Sequence, residues 1–499
     1  MSAGRQINNY QEERLPFWKK MIYGSGDWSR ASFNTLRMVF YAIFLTDVVR
    51  LDPRLASIAA FVGIIWDGIN DPIVGALSDN VRTRWGRRRP FLLVFAIPFA
   101  LSFLLLWWAP PWKTQIMLAI HVTLAFMVAD TFQTLVTVPY LSLTPEIVPG
   151  YDERTRLTTI RYAFNLIAAL ATAMAAPMII DSSLKGGMTQ QQGYLIVAAI
   201  FGGLSIIPYM LIFLFIKEKP VSAEVSVEQP TLRKTVSSLW QNKPFRYVIG
   251  IYVMNWVAFD IVSAILPYFL LYWIGSGNML VKANLFGINL SLESAALGLL
   301  LLTATLALPF WNWLATRTSK RLTYIIGMAT WIVVELLIFL LQPGQITLML
   351  VFAVFAGISV STAHVMPDAI LPDVIDWDEL RSDKRREGMY YGAINLLRKL
   401  SSAIATFVLL QLLGWFGYKS PPTGAILFSQ PASALTAIRM VTGPVVGLLL
   451  IAAIIFAAFF PLSRERQHRI HRMLQRRRER VALRKQKRAE RKASAKRKY

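Results

Sequence analysis

The chain reads as an all-α polytopic membrane protein: twelve transmembrane helices in two six-helix bundles, with both termini cytoplasmic. Three observations predict this. Of 499 residues, 55% are hydrophobic and only 16% charged, well beyond the apolar content of a soluble domain. Apolar runs of the ~20 residues needed to cross a bilayer recur along the chain. Lys and Arg concentrate in alternate connections, as they do when those connections face the cytoplasm.

The elements follow in order. Residues 1–26 form a polar cytoplasmic leader without the short apolar stretch and cleavage site of a secretory signal, so no processing is expected. Spans one to six are predicted at 27–46, 53–78, 90–109, 115–139, 157–180 and 194–216, giving a first bundle over 27–216. The longest internal polar stretch, 217–244, is a cytoplasmic linker. Spans seven to twelve at 245–274, 292–315, 322–342, 346–371, 388–416 and 434–461 give a second bundle over 245–461, and 462–499 is a polybasic cytoplasmic tail.

Inner connections hold Arg82, Arg84, Arg87, Arg88 and Arg89, then Arg154 and Arg156, the linker lysines, Arg317, Lys320 and Arg321, and finally Arg381, Lys384, Arg385 and Arg386. Outer ones hold only Arg50, Arg54, Lys113, Lys185, Lys282 and Lys419. The tail carries 17 Lys plus Arg against 3 Glu, a net +14 of the chain's +24. Directly after a last span, such a segment is drawn to anionic inner-leaflet lipid at about 1 kcal/mol per cation near the surface. RNA binding is the alternative, but RMLQRRRERVALRKQKRAERK lacks interleaved aromatics for stacking on bases, so no nucleic-acid partner is expected. There is no cysteine, hence no disulfide or thiolate chemistry.

The halves echo one another. LSLTPEIVPGYDERTRLTTIRYAFN after span four parallels ILPDVIDWDELRSDKRREGMYYGAIN after span ten, each a proline, an acid, a charged loop and a new helix. Two repeats rocking about a central site would be written this way. Asp373, Asp376, Asp378, Glu379 and the RSDKRRE run are expected to form a cytoplasmic charge latch between the bundle ends.

IIWDGINDP, residues 64–72, places Asp67 and Asp71 four apart with Asn70 between them, so all three project from one side of span two. An unpaired charge at membrane depth costs at least ~2.5 kcal/mol, so such groups face the bundle interior and mark a pathway. Two carboxylates and an amide oxygen suit Na⁺, Li⁺ or a proton; a salt bridge to an Arg or Lys of another helix is the structural alternative. Arg30, Asn34 and Arg37 form one stripe of span one, where two guanidinium forks would favour a carboxylate, sulfate or phosphate on a solute. Asp27, three residues before Arg30, is a partner that would neutralise it, and Tyr41 and Asp130 are within reach of Arg37. Asn255, Asp260, His364, Asp368, Arg398 and Lys399 are polar residues in or beside the apolar spans of the second half.

GALSDNVRTRWGRRRP, residues 75–90, resembles the signature loop of the major facilitator superfamily, where Asp79 pairs across the bundle and Arg87 and Arg88 stay cytoplasmic in gating roles. More narrowly, YGSGDWSRASFN, IIWDGINDPIVGALSD, RTRWGRRRPF, VPYLSLTPEI, DERTRLTTIR and PDVIDWDELR…RREGMYYGAINLLRK resemble, in order over about 22–400, the glycoside-pentoside-hexuronide:cation symporters, the melibiose-permease group. The resemblance implies the major facilitator fold and alternating access in the cell membrane. It also implies a cation site at Asp67, Asn70, Asp71 and Thr134, and a coupling role for Lys399, whose alternative is snorkelling at a helix end. At the family's sugar-binding positions the chain has Arg30, Ala31, Gln133, Thr137 and Leu141, so both sugar-binding carboxylates are missing; only an arginine of span five is retained, as Arg161. Solute recognition has been rebuilt, with Arg30, Asn34, Arg37, Gln133, Thr137, Arg161 and Asn255 as candidates. No phosphate loop, nucleophile elbow or HExxH motif supports an enzyme. The expectation is a monomeric symporter without a resident cofactor, moving a sugar or glycoside-type solute with a monovalent cation; a cation-coupled lysophospholipid transporter is the alternative.

Overall fold

The computed structural model describes residues 15–148, 151–218, 232–285, 287–382 and 386–496. Six long helices build the first half: α1 (Phe17–Ile43), α2 (Pro53–Asn80), α3 (Arg89–Leu106), α4 (Gln115–Ile147), α5 (Tyr151–Lys185) and α6 (Gln190–Phe215). The second half contains α7 (Leu232–Gln241), α8 (Lys243–Tyr268), strands β1 (Lys282–Leu285) and β2 (Ile288–Ser291), α9 (Leu292–Arg317), α10 (Lys320–Phe339), α11 (Ile346–Ser382), α12 (Glu387–Trp415), α13 (Ala432–Met440), α14 (Val446–Ala458) and α15 (Arg464–Lys496).

Among the described residues, eleven helical stretches are long and apolar enough to cross a bilayer by themselves. The twelfth span is α1, whose Asp27, Arg30 and Arg37 lower its apolar character. It is paired inside the bundle instead of being lipid-facing throughout. The molecule has the inside-out surface of a bilayer protein: Ile116 and Leu306 lie 66% and 69% exposed on the outside while Asp27, Asn70, Asp130 and Asp260 are buried. Helix starts are locally encoded. Pro53 opens α2 behind Asp52, whose carboxylate accepts the Arg54 N–H at 2.8 Å and is held below the usual carboxylate range by the same arginine. Thr189 and Gln192 form a capping box at the start of α6.

Four boundaries depart from those read in the sequence. Helix α1 begins at Phe17, inside the stretch expected to be leader, because FWKKMIYGSG still offers one apolar face to α5 and α6. The 217–244 linker contains α7 and the first turn of α8; its residues 219–231 lie outside the described ones. Span twelve is two helices joined by a π turn at Val441–Val445. A short hairpin follows span seven, Lys282 pairing with Ser291 and Leu285 with Ile288, an alternation hidden in the apolar background.

The first half packs through α1 on α5 and α6, α2 on α4 and α3 on α4 and α6, and the second through the counterparts α8 on α12 and α14, α9 on α11 and α10 on α11 and α14. The halves meet along α2–α12, α5–α9 and α1–α8. At their outer ends, Asp47, in the π turn that closes α1, accepts hydrogen bonds from Tyr272 and Tyr418 at 2.5 Å each, and Thr46 bonds Tyr268 at 2.9 Å. Ser294 donates to the Met174 carbonyl and Gln411 to Ser57. The outer end is closed by polar contacts between bundles.

Candidate functional site

A cavity of about 450 Å³ lies between the bundles, walled by α1, α2 and α4 on one side and α8 and α12 on the other. Its wall is mixed: Met38, Ile64, Phe126, Val138 and Leu141 are apolar, and Arg30, Arg37, Arg398 and Lys399 supply positive charge. The side chain of Asp67 is 13% exposed and that of Asp71, one turn closer to the cytoplasmic end of α2, is 42% exposed. With the outer end closed, that gradient places the opening on the cytoplasmic side.

The aspartate pair is met by one residue from the other bundle. The Lys399 ammonium donates to Asp67 Oδ1 at 2.7 Å, to the Asp67 carbonyl at 2.9 Å and to Asp71 Oδ2 at 2.6 Å. An ammonium has three N–H donors and no acceptor, so this lysine spends all three on the aspartate pair and the Asp67 carbonyl. Thr134 donates to Asp71 Oδ1 at 3.4 Å, and Asn70, buried behind the pair, turns its amide N–H toward Asp130 Oδ2 at 3.5 Å. Asp67, Asp71, Thr134 and Lys399 thus meet at one place on the cavity wall, while Asn70 is buried beside them and turned to Asp130.

The solute candidates divide. Arg30, Asn34, Arg37, Gln133 and Thr137 line the cavity, Gln133 donating to Asn34 at 3.3 Å. Arg161 does not line it: its Nε donates to Asp27 at 2.6 Å and its Nη1 to Thr144 at 3.2 Å, while Tyr140 also donates to Asp27 at 3.0 Å. Arg30 shares that carboxylate through Asp27 Oδ1 at 3.0 Å, so both arginines are anchored by one buried acid. Asn255 is buried away from the cavity, giving its N–H to the Ala363 carbonyl at 3.0 Å and receiving Tyr324 at 3.2 Å; it braces α8 against α10 and α11.

Two ion pairs join residues that the sequence singled out. Arg398 makes a fork of 2.6 and 2.9 Å with Asp260 and lies 4.1 Å from the centre of the Trp256 ring, presenting a neutralised pair to the cavity. Asp130, one turn before Thr134 on α4, faces Arg37 at 3.6 Å. Both acids were visible as charges in apolar spans. His364 packs edge-on against Trp256 and Phe259, a packing role.

On the cytoplasmic side, Arg87 bonds Glu146 at 2.6 Å, and Arg88 reaches Glu146 at 2.8 Å and Asp79 at 3.0 Å. Glu218 accepts the backbone N–H groups of Arg87, Arg88 and Arg89 at 2.6, 2.7 and 2.7 Å. This is an anion on the start of α3, where unpaired N–H groups and the helix dipole favour one. Gly86, at φ +107°, leaves room for that carboxylate; a Cβ there would strike Glu218. Asp79, Arg87 and Arg88 therefore knit α2, α3, α4 and the end of α6 within the first bundle. The expected latch between bundle ends takes a different form. Asp373 pairs with Lys320 at 2.8 Å and Asp378 with Arg386 at 2.8 Å, all within the second bundle, and Lys384 and Arg385 lie outside the described residues. Asp376 faces His471 of α15 at 3.5 Å.

Known proteins agree with this architecture. A Synechocystis symporter is 31% identical over 94% of this chain and 98% of its own. The sodium-dependent lysophosphatidylcholine symporter 1 of Gallus gallus is 27% identical over 93% of this chain and 90% of its own. The isoprimeverose transporter of Lactiplantibacillus pentosus is 26% identical, covering 87% and 86%. The nucleoside transporter NupG superposes with a TM-score of 0.60 over 90% of this chain and all of its own, at 13% identity, a likeness of fold alone. A family profile described as MFS/sugar transport protein matches residues 22–464. By that match the chain belongs to the MFS/sugar transport family, a multi-pass membrane transporter and not an enzyme.

Proposed function

We propose that the protein carries a sugar or glycoside-type solute, including hexuronides and other anionic derivatives, in symport with a monovalent cation, Na⁺, Li⁺ or H⁺, by alternating access. One observation carries this reading: the ammonium of Lys399 sits on the carboxylates of Asp67 and Asp71 across the interface between bundles. Two like charges on one helical face need a counter-charge, and the protein supplies its own when it faces the cytoplasm. A cation arriving from outside at Asp67, Asn70, Asp71 and Thr134 takes over that role and releases Lys399. The α2–α12 contact loosens, the cavity forms around the solute and the loaded bundles rock. A ligand shifts such an equilibrium only by its preference for one state; here the preference comes from exchange of a built-in cation for a mobile one.

The test is cation-driven uptake in proteoliposomes. Asp71→Asn removes one carboxylate and is expected to abolish concentrative accumulation while leaving the protein folded. Concentrative uptake at the unaltered rate would sink the mechanism. Amphiphile transport is the second reading, favoured by the likeness to the lysophosphatidylcholine symporter and by a cavity that pairs cations with Met38, Ile64 and Phe126. The cationic helix α15, whose Ile470 and Leu474 are buried against the body of the protein, is proposed to lie at anionic inner-leaflet lipid, and the protein to act as a monomer.

A further inference from the structure

Four cationic side chains line the cavity, and they are not equally satisfied. Lys399 makes three hydrogen bonds of 2.6 to 2.9 Å. Arg398 holds Asp260 in a fork. Arg30 is bonded to Asp27 at 3.0 Å. Arg37 is the exception. Its Nη1 stands 3.6 Å from Asp130 Oδ1, beyond hydrogen-bond range, and both atoms are buried without a hydrogen-bond partner among the described residues. The guanidinium is held in place from the sides, 5.7 Å from the Phe33 ring centre and 5.2 Å from that of Phe126. One more buried donor lines the same cavity without a partner among the described residues, the hydroxyl of Tyr41, while the Thr137 hydroxyl faces that of Tyr209. Tyr41 is only 3% exposed.

Buried polar groups in this condition are costly, and here they are two donors one turn apart on α1, Arg37 and Tyr41, facing a single Asp130 oxygen of α4. Asp130 in turn accepts from Asn70, whose amide lies beside the proposed cation site. We infer that Arg37, with Tyr41, recognises an oxyanion on the carried solute, that Asp130 holds this arginine in reserve, and that Asn70 ties its release to the cation. The inference rests on the symport reading above. A cation that draws on the Asn70 carbonyl oxygen polarises the amide and makes its N–H a stronger donor to Asp130, as outer partners of a bound ion generally are tuned. Asp130 is then better satisfied by Asn70 and releases Arg37 to the solute. The recognised group is a carboxylate of a uronide or a phosphodiester of a lysophospholipid, both of which fit a guanidinium fork.

The experiment measures thermal stabilisation of the purified full-length protein by p-nitrophenyl β-glucuronide, its neutral glucoside counterpart and lysophosphatidylcholine, each in Na⁺ and in choline. One of the two oxyanion probes is expected to bind more tightly than the glucoside, and more tightly in Na⁺; which of them does so identifies the carboxylate or the phosphodiester as the source. Arg37→Gln should weaken that probe roughly tenfold to a hundredfold, the loss of a charge-assisted bond, with Arg37→Lys recovering part of it. Asp130→Asn should erase the Na⁺ enhancement of oxyanion binding while the shift by Na⁺ alone persists. A Na⁺ shift with no preference for either oxyanion probe, or an Arg37→Gln effect equal on glucoside and glucuronide, overturns the assignment and leaves symport standing. Absence of any effect of Na⁺, Li⁺ or a pH change from 7.5 to 5.5 on stability or on probe binding by the unaltered protein overturns the symport reading and the assignment with it.

Discussion

Lys399 shows how one residue can serve two purposes. An ammonium that satisfies two carboxylates is a stabilising contact, and it is also a competitor for their mobile ligand. Truncating it to an apolar isostere separates the two. Lys399→Met leaves Asp67 and Asp71 facing one another without a counter-charge, and removal of one partner of a buried pair is strongly destabilising, about 3–5 kcal/mol. The expected outcome is a lower melting temperature without Na⁺ and a larger increment on adding Na⁺ than in the unaltered protein. Equal increments would show that lysine and cation do not share the site. At this scale the sequence was informative. Asp67, Asn70 and Asp71 declare themselves by charge in an apolar helix, and Arg30 and Arg37 by their stripe on span one. What it withheld was the state of satisfaction: the sequence offered Asp27 to Arg30 and Asp130 to Arg37, and three dimensions show the first pair bonded at 3.0 Å and the second held apart at 3.6 Å.

At the scale of the element, the start of α3 illustrates a helix end completed from far away. Its three N–H groups converge on Glu218, which follows α6 and is 129 to 131 residues distant in sequence. Glu218→Gln keeps the shape and removes the charge, and is expected to cost about 1–3 kcal/mol, a shift of a few degrees in melting temperature. An unchanged melting temperature would mean that water or a neighbouring side chain completes the cap equally well. Most helices were readable because their apolar runs and caps are local. The exceptions have physical causes: α1 starts early because its first turns pack on α5 and α6, and the β1–β2 hairpin pairs two four-residue strands, KANL and INLS, whose alternation is too short to stand out between long apolar spans. Partners such as Asp47 with Tyr272 and Tyr418, 225 and 371 residues apart, leave no local pattern at all.

For the whole molecule, the outer seal decides which way it faces. Asp47, Tyr272 and Tyr418 join the first helix of one bundle to two segments of the other. Asp47→Asn retains one acceptor but turns an amide toward the second phenol, and loss of a hydrogen bond to a charged group, about 1.5–3 kcal/mol, is enough to raise the outward-facing population roughly tenfold or more. Because the chain has no cysteine, the test needs no background removal: a single cysteine at Asn34 in the cavity wall should react faster with an impermeant maleimide from outside when Asp47 is Asn. The same rate in both would place the seal elsewhere, in the α5–α9 or α2–α12 contacts.

Lys399 also has an electrical consequence. The lysine belongs to the protein and makes the return trip with it, so the loaded and empty carriers differ in charge only by what they transport. With one cation per solute, a neutral glycoside crosses together with one positive charge and is driven by the membrane voltage, about 2.3 kcal/mol for each 100 mV. A monoanionic solute cancels that charge, and the same carrier becomes indifferent to voltage, drawing only on the two concentration gradients.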